Sequence, residues 1–321
     1  MKKFIASVLT LLIFVFIYSR VNWNSFLEIC VHANLLYLAI AASFFIITTF
    51  VSILRWKLLL KEEVDLPLIT ATKIFLAAMS LNSVMPSKLG DLTKAYFLRQ
   101  ESIVGYKRGF DTVFLEKLLD LSSLCLLFLL GATGLRGFDK KIVLVLMLLS
   151  TCVVVFTVLF ITLEKKSNPL RYLLGKILKP FPRLDMLVKD TEAYLGRLKN
   201  NPRRLIFIIV ISVALWAFHL VQIYFFFLTL GTDVKLIDVF GLVPAAILIG
   251  LLPLTIGGMG TRDAALIYLF SDKFGYETMA AVGILVSTRY WVPSLVGLPF
   301  LRSYTAKAGR APGTAANQPV K

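Results

Sequence analysis

The sequence predicts an all-α polytopic membrane protein, with about six full transmembrane helices plus two re-entrant helical hairpins arranged as an inverted repeat. Three observations predict it. The 321 residues are 58% hydrophobic with a mean hydropathy of +0.79, whereas soluble domains are about half apolar. Several apolar runs reach about 20 residues, the length that crosses the hydrocarbon core of a bilayer. Two further apolar pieces, 66–100 and 236–271, are interrupted by proline, glycine and charge, and each carries flanks that belong on one side of the membrane. The reading is of one integral membrane domain over 1–321, with a basic cytoplasmic linker at 164–204 and a disordered cytoplasmic tail at 303–321.

The net charge of +16 and pI of about 9.8 would suggest nucleic acid on a soluble protein. On a membrane protein, Lys and Arg in loops report orientation and contact with anionic head groups. Anionic membrane lipids are therefore the expected partners, and nucleic acid is not. Cys30, Cys125 and Cys152 are far apart, and His32 and His219 are isolated, so neither a disulfide framework nor a metal site follows. No nucleotide loop, GxSxG, HExxH or Cys cluster occurs. No catalytic residue, cofactor or metal is expected.

Orientation follows the Lys/Arg of short loops. The first span, 4–19, has Lys2 and Lys3 inside; bulky residues at Tyr18–Trp23 argue against signal cleavage, so it reads as an uncleaved helix. The second, 35–55, returns to an inside end marked by Arg55, Lys57 and Lys61. Spans at 109–134 and 141–163 follow, joined by an external loop that carries Arg136, Lys140 and Lys141 against the rule. The larger Lys/Arg excess in 164–204 outweighs that loop and places the section inside. Within it Leu184, Leu187, Val188, Thr191, Tyr194, Leu195 and Leu198 recur at helical spacing, as in an amphipathic interfacial helix. Spans at 205–230 and 278–301 complete the set. The expected location is the plasma (inner) membrane with both termini cytoplasmic.

The two interrupted pieces share a pattern. "LNSVMPSKLGD" (81–91) and "LPLTIGGMGTRD" (252–263) both contain Pro-x-x-x-Gly, both follow an apolar helix, and both precede a helix start and an acid, Asp91 or Asp263. The first enters from inside and the second from outside. Broken backbone at membrane depth is tolerated only beside protein or a water-filled cavity, and inverted pairs of broken helices are the plan of transporters. Pro86, Gly90, Pro253, Gly257, Gly258 and Gly260 are the expected hinge positions.

Ionisable side chains inside spans cost about 2.5–3.5 kcal/mol each on insertion scales, so each is a candidate site residue. Glu116 and Asp120 lie four apart on one helical face, with Lys117 placed to neutralise part of that charge. Arg289 sits near the middle of the last span, and Arg262 and Asp263 open a helix after three glycines. Together with Lys88 and Asp91, these residues are the expected substrate-binding set. Acids from one repeat are expected to meet the arginine of the other in a cavity between them. The bland alternative is an ion-pair network that locks the two halves, and for Lys88 snorkelling to the interface.

The stretches "MPSKLGDLTKAYFL", "FLEKLLDL" and "LPLTIGGMGTRDAAL" resemble, in order and over nearly the whole chain, the lysylphosphatidylglycerol synthase transmembrane region, or flippase-like domain, family. Against the family pattern, Ser87 stands for a glycine, Asp91 and Asp263 stand for glutamates, and Lys117 stands for an arginine. The resemblance implies lipid handling. Members fused to an aminoacyltransferase domain move lysyl-lipid between leaflets, while stand-alone members are implicated in glycolipid or polyprenyl-lipid pathways. This chain shows no transferase-like region. It is expected to be a flippase-like transporter of a polar-headed phospho- or glycolipid. The alternative is a membrane enzyme, or an accessory subunit of a separate lipid-modifying transferase, in transfer of a group from a lipid carrier.

Overall fold

Two asparagines set the entry of the chain. The Asn22 side chain accepts from the backbone N–H groups of Asn24 and Ser25 and caps a short helix, α2 (Trp23–Val31), which follows α1 (Lys2–Ser19). Asn34 does the same for Leu36 and Tyr37 at the start of α3 (Leu35–Leu60). Each cap satisfies backbone donors that a helix N-terminus leaves orphaned. The computed structural model describes residues 2–83, 85, 89–132, 140–162, 193–251, 255 and 258–309. Every regular element among them is helical.

After α3 come α4 (Leu68–Asn82), a 3₁₀ turn at Leu89–Leu92, α5 (Thr93–Gln100), α6 (Tyr106–Ala132) and α7 (Lys140–Thr162). A short helical stretch at 193–199 leads to α8 (Pro202–Thr229), which starts with an Asn201 cap and proline in its first turn. Then follow α9 (Leu236–Gly250), α10 (Thr261–Phe274) and α11 (Tyr276–Gly309). Both interrupted pieces are thus helix–break–helix units, as expected. α2 was not foreseen, because nine residues are too few to register as a span.

Four described helices are long and apolar enough to cross a membrane: α3, α7 from Val143, α8, and α11 as far as Ala306. α6 has the length, at 27 residues, but Glu116, Lys117 and Asp120 lower its apolarity. The outward surfaces of the four carry Ile46, Phe50, Leu148, Val158, Val210 and Leu295, all exposed. Apolar surface on this scale marks contact with lipid rather than water.

The order of packing has a regularity. α3 packs on α8, α4 on α11 and α6 on α9, while α5 packs on α6 and α10 on α11. The starts of α3 and α8, α4 and α9, α5 and α10, and α6 and α11 lie 167, 168, 168 and 170 residues apart (35 to 202, 68 to 236, 93 to 261, 106 to 276). Glycine makes two of these crossings possible. A Cβ on Gly131 of α6 would overlap the backbone of Phe240 and Gly241 on α9, and one on Gly297 of α11 would overlap the backbone of Leu76 on α4. Small residues let membrane helices approach backbone to backbone. At the second crossing Ser80 Oγ donates to the Ser294 carbonyl at 2.6 Å.

Two boundaries differ from the sequence reading. α11 continues to Gly309, so the first seven residues of the predicted disordered tail extend the last helix. Most of the predicted basic linker, 163–192, lies outside the described residues. In the part that is described, Tyr194, Leu195 and Leu198 are buried against Leu59, Leu115 and Ile208. That apolar face is turned into the protein and not onto lipid, because the ends of α3, α6 and α8 offer it a closer apolar surface.

Candidate functional site: a charged cavity between α3, α6, α8 and α11

A side chain ties the two described ends of the break after α4. Asn82, at the end of α4, accepts at 3.0 Å from the backbone N–H of Asp91, so the chain turns back on itself within nine residues. Gly90 permits this, since a Cβ there would come within 2.6 Å of the Leu81 carbonyl carbon. Asp91 is thereby carried inward, 5% exposed, and Lys94 follows it one helical turn later with no exposure at all.

α6 supplies the facing acids, and a guanidinium from α3 bridges them. Arg55 Nη1 lies 2.6 Å from Asp120 Oδ1, and Nη2 lies 3.2 Å from Glu116 Oε1. Lys94 Nζ lies 2.6 Å from Glu116 Oε2 and 3.4 Å from Asp91 Oδ1. Lys117 pairs with Asp91 Oδ2 and lies 3.4 Å from Asp120 Oδ2. From α8, Trp216 Nε1 donates to Asp120 Oδ1 at 3.0 Å, and Ser212 accepts from Arg55 at 3.3 Å. Three acids and three bases thus form a closed, neutral cluster in which each carboxylate oxygen faces a cation. The Lys94 ammonium also sits 5.4 Å from the Trp56 ring centroid and 4.9 Å from that of Phe75, a cation–π setting suited to a buried charge.

A cavity of about 100 Å³ opens beside this cluster. Arg55, Asp91, Glu116, Lys117 and Asp120 line one side; Trp216, His219 and Gln222 of α8 and Arg289, Tyr290 and Pro293 of α11 line another. At about 30 Å³ per water, that is room for a few waters or one small polar group. Pro293 cannot donate to the Arg289 carbonyl four residues earlier, so α11 lacks a backbone hydrogen bond where its guanidinium enters. Arg289 is 5% exposed, and its Nε and Nη1 meet no hydrogen-bond acceptor. Gln222 donates through Nε2 to the Ala41 carbonyl at 2.9 Å, and its Oε1 meets no donor.

The second break builds a different object. Gly258 and Gly260 take φ of +75° and +89°, the left-handed region that glycine enters without steric cost. Gly260 N–H donates to Asp263 Oδ2 at 3.1 Å, and Arg262 Nε and Nη2 bond Asp263 Oδ1 at 2.9 and 2.6 Å. Arg262 Nη2 also donates to Ser287 Oγ at 2.6 Å. Both residues are 2% exposed, and neither is among the residues lining the cavity. The guanidinium groups of Arg262 and Arg289 lie 5.5 and 5.7 Å from the Tyr290 ring centroid.

Of the expected set, Glu116, Asp120, Asp91 and Arg289 share one cavity, while Arg262 and Asp263 stand behind it. Lys88, Pro86, Pro253 and Gly257 lie outside the described residues. The pairing differs from the expectation in one respect. The acids of the first half are matched by Arg55, Lys94 and Lys117 from that same half, because α3 and α5 flank α6 directly, and no acid pairs with Arg289 among the described residues. Arg55 and Lys94 escaped the sequence reading. Arg55 counted as a loop charge that set orientation, yet it stands five residues inside the end of α3, where the same burial cost applies. Lys94 follows Asp91 by three, the spacing of a helical ion pair.

Lipid-facing helices around a buried charge network define a multi-pass integral membrane protein. Within that class the chain belongs to the lysylphosphatidylglycerol synthase TM region family, which it matches over residues 3–297. Similar curated proteins are archaeal UPF0104 membrane proteins. One from Pyrococcus horikoshii is 23% identical over 321 residues, covering 92% of this chain and 96% of the relative. One from Methanothermobacter thermautotrophicus is 24% identical over 281 residues, covering 81% and 82%. One from Methanocaldococcus jannaschii is 28% identical over 215 residues, covering 64% and 86%. No solved structure matches the chain.

Proposed function

We propose that this protein is a flippase-like transporter that moves a polar-headed phospho- or glycolipid between the leaflets of the plasma (inner) membrane. The observation that carries the reading is the charged cavity itself, set inside helices whose outer surfaces are apolar. A polar head group needs a path that hydrocarbon cannot provide, while its tails can remain in lipid.

The proposed architecture is six crossings, α1, α3, α6, α7, α8 and α11, with α4–α5 and α9–α10 as re-entrant hairpins related by a twofold axis in the membrane plane. The near-constant offset of 167 to 170 residues supports it. So does the reciprocal packing of α4 on α11 and α6 on α9, which such an axis produces from a single contact. Both termini and the 164–204 section are cytoplasmic in this reading, and Gly90, Gly258 and Gly260 are the hinges. The complete pairing of Asp91, Glu116 and Asp120 weighs against group transfer from a lipid carrier, which needs a carboxylate able to take a proton.

Reconstitution into liposomes with a panel of labelled lipids tests the reading. Faster exchange between leaflets than in protein-free vesicles is expected for at least one polar-headed lipid. Exchange no faster than the protein-free rate across the panel overturns it.

A further inference from the structure

We propose that the cavity selects a phosphate-bearing head group of net negative charge, anchored by Arg289, and discriminates against head groups of net positive charge. The inference rests on the transport reading above and names the substrate class for the same site.

The charge count carries it. Asp91, Glu116 and Asp120 are matched one for one by Arg55, Lys94 and Lys117, and all six carboxylate oxygens are taken up in the pairing. Among the described residues that line the cavity, Arg289 is the cation left over. It lines the cavity at 5% exposure, forms no ion pair among the described residues, and keeps two of its three guanidinium nitrogens without an acceptor. The neighbouring charge on Arg262 is cancelled by Asp263 at 2.6 Å, so Arg289 has no counter-ion from that side either. A buried guanidinium left in this state carries an uncompensated desolvation cost. A phosphate oxygen removes that cost through a charge-assisted hydrogen bond, the chemistry to which the guanidinium fork is best matched.

The rest of the lining completes the specificity. Gln222 Oε1 is a buried acceptor without a donor, suited to a neutral hydroxyl such as that of glycerol or a sugar. An added ammonium group would find its natural partners already bonded, since no carboxylate oxygen in the cavity lacks a cation. Aminoacylation of the head group therefore adds a charge that this site does not satisfy, and it places that charge beside Arg289. The ligand is a phosphate ester bearing a hydroxyl, whether on a lipid such as phosphatidylglycerol or on a soluble glycerol phosphate.

Two measurements on the full chain test this and separate it from the transport reading. In proteoliposomes, labelled phosphatidylglycerol is expected to exchange about tenfold faster than lysyl-phosphatidylglycerol or phosphatidylcholine: all three offer Arg289 the same phosphate, and the last two add a cation beside it that no carboxylate of the cavity is left to pair. Arg289→Gln is expected to bring the three rates together, and Arg289→Lys to restore part of the preference. Equal or faster exchange of the lysyl lipid by the wild type, or an undiminished preference in a folded Arg289→Gln, overturns the proposal. If no lipid moves, the transport reading falls and binding in detergent decides the anion site. Phosphatidylglycerol or glycerol phosphate should raise the melting temperature of the wild type, while glycerol and lysine should not. A gain with phosphatidylglycerol alone assigns the site to lipid, and a gain with both admits a soluble phosphate ester; either supports the site. No gain with either, or the same gain in Arg289→Gln, overturns it. Should Arg289→Gln fail to fold, Arg289→Lys carries the test, and an unchanged lipid preference and unchanged melting gain in that variant overturn the proposal.

Discussion

Arg55 of α3 and Asp120 of α6, 65 residues apart in the chain, meet at 2.6 Å with the same guanidinium reaching Glu116 one turn away. Arg55 is therefore the tie that fixes α3 against α6. Replacing it with methionine keeps the apolar stem and leaves Glu116 and Asp120 each with one of its two cations, Lys94 and Lys117, so that the buried cluster carries one negative charge in excess. Breaking one side of a buried pair costs about 3–5 kcal/mol. Arg55→Met should therefore lower the melting temperature in detergent sharply, and adding Glu116→Gln and Asp120→Asn should recover part of the loss. A single variant as stable as the wild type would show that the cluster is not holding these helices.

The two glycine crossings should respond alike. Gly131→Ala and Gly297→Ala each place a methyl group against the backbone of the opposing helix, and overpacking of this kind costs about 1–3 kcal/mol. Gly196→Ala has nothing within 4 Å of the added carbon and should leave stability unchanged or slightly higher, because alanine favours helix. Thermal unfolding of the three proteins side by side distinguishes these outcomes; equal stability across them would remove the argument for close approach.

Topology can be read from one native thiol and one introduced thiol. Cys30 is exposed on α2, which the proposed arrangement puts outside. In a background lacking Cys125 and Cys152, a membrane-impermeant maleimide should label Cys30 in intact cells, whereas Asn168→Cys in a Cys30-free version should be labelled only after the membrane is opened. Strong labelling of position 168 from outside would invert or break the proposed topology.

The basic section is expected to hold anionic head groups. Lys176, Lys179, Arg183 and Lys189 changed together to glutamine should weaken binding to anionic liposomes, most at low ionic strength, where screening is least. Unaltered binding in low salt would mean that this section has another role.

The helices of this protein were legible in its sequence because the bilayer imposes a single-body rule: a span needs about 20 apolar residues whatever its neighbours are. That rule placed the starts of α3, α7, α8 and α11 to within about three residues, while α3 and α11 run on past their predicted ends, to Leu60 and Gly309. The proline and glycine breaks placed both helix–break–helix units, since backbone that cannot continue a helix declares itself locally. Cost alone singled out Glu116, Asp120 and Arg289, because a charge in an apolar run is conspicuous from composition.

Partnership was decided only by the tertiary structure. Nothing local distinguishes Arg55, which binds two acids at 2% exposure, from a loop arginine that marks the inside of the membrane. Nor does spacing reveal that Lys94 neutralises Glu116 across 22 residues while Arg289 keeps two nitrogens without an acceptor among the described residues. Ion pairing depends on distances of a few ångströms between helices that are remote in the chain, and those distances exist only once α3, α6, α8 and α11 have packed.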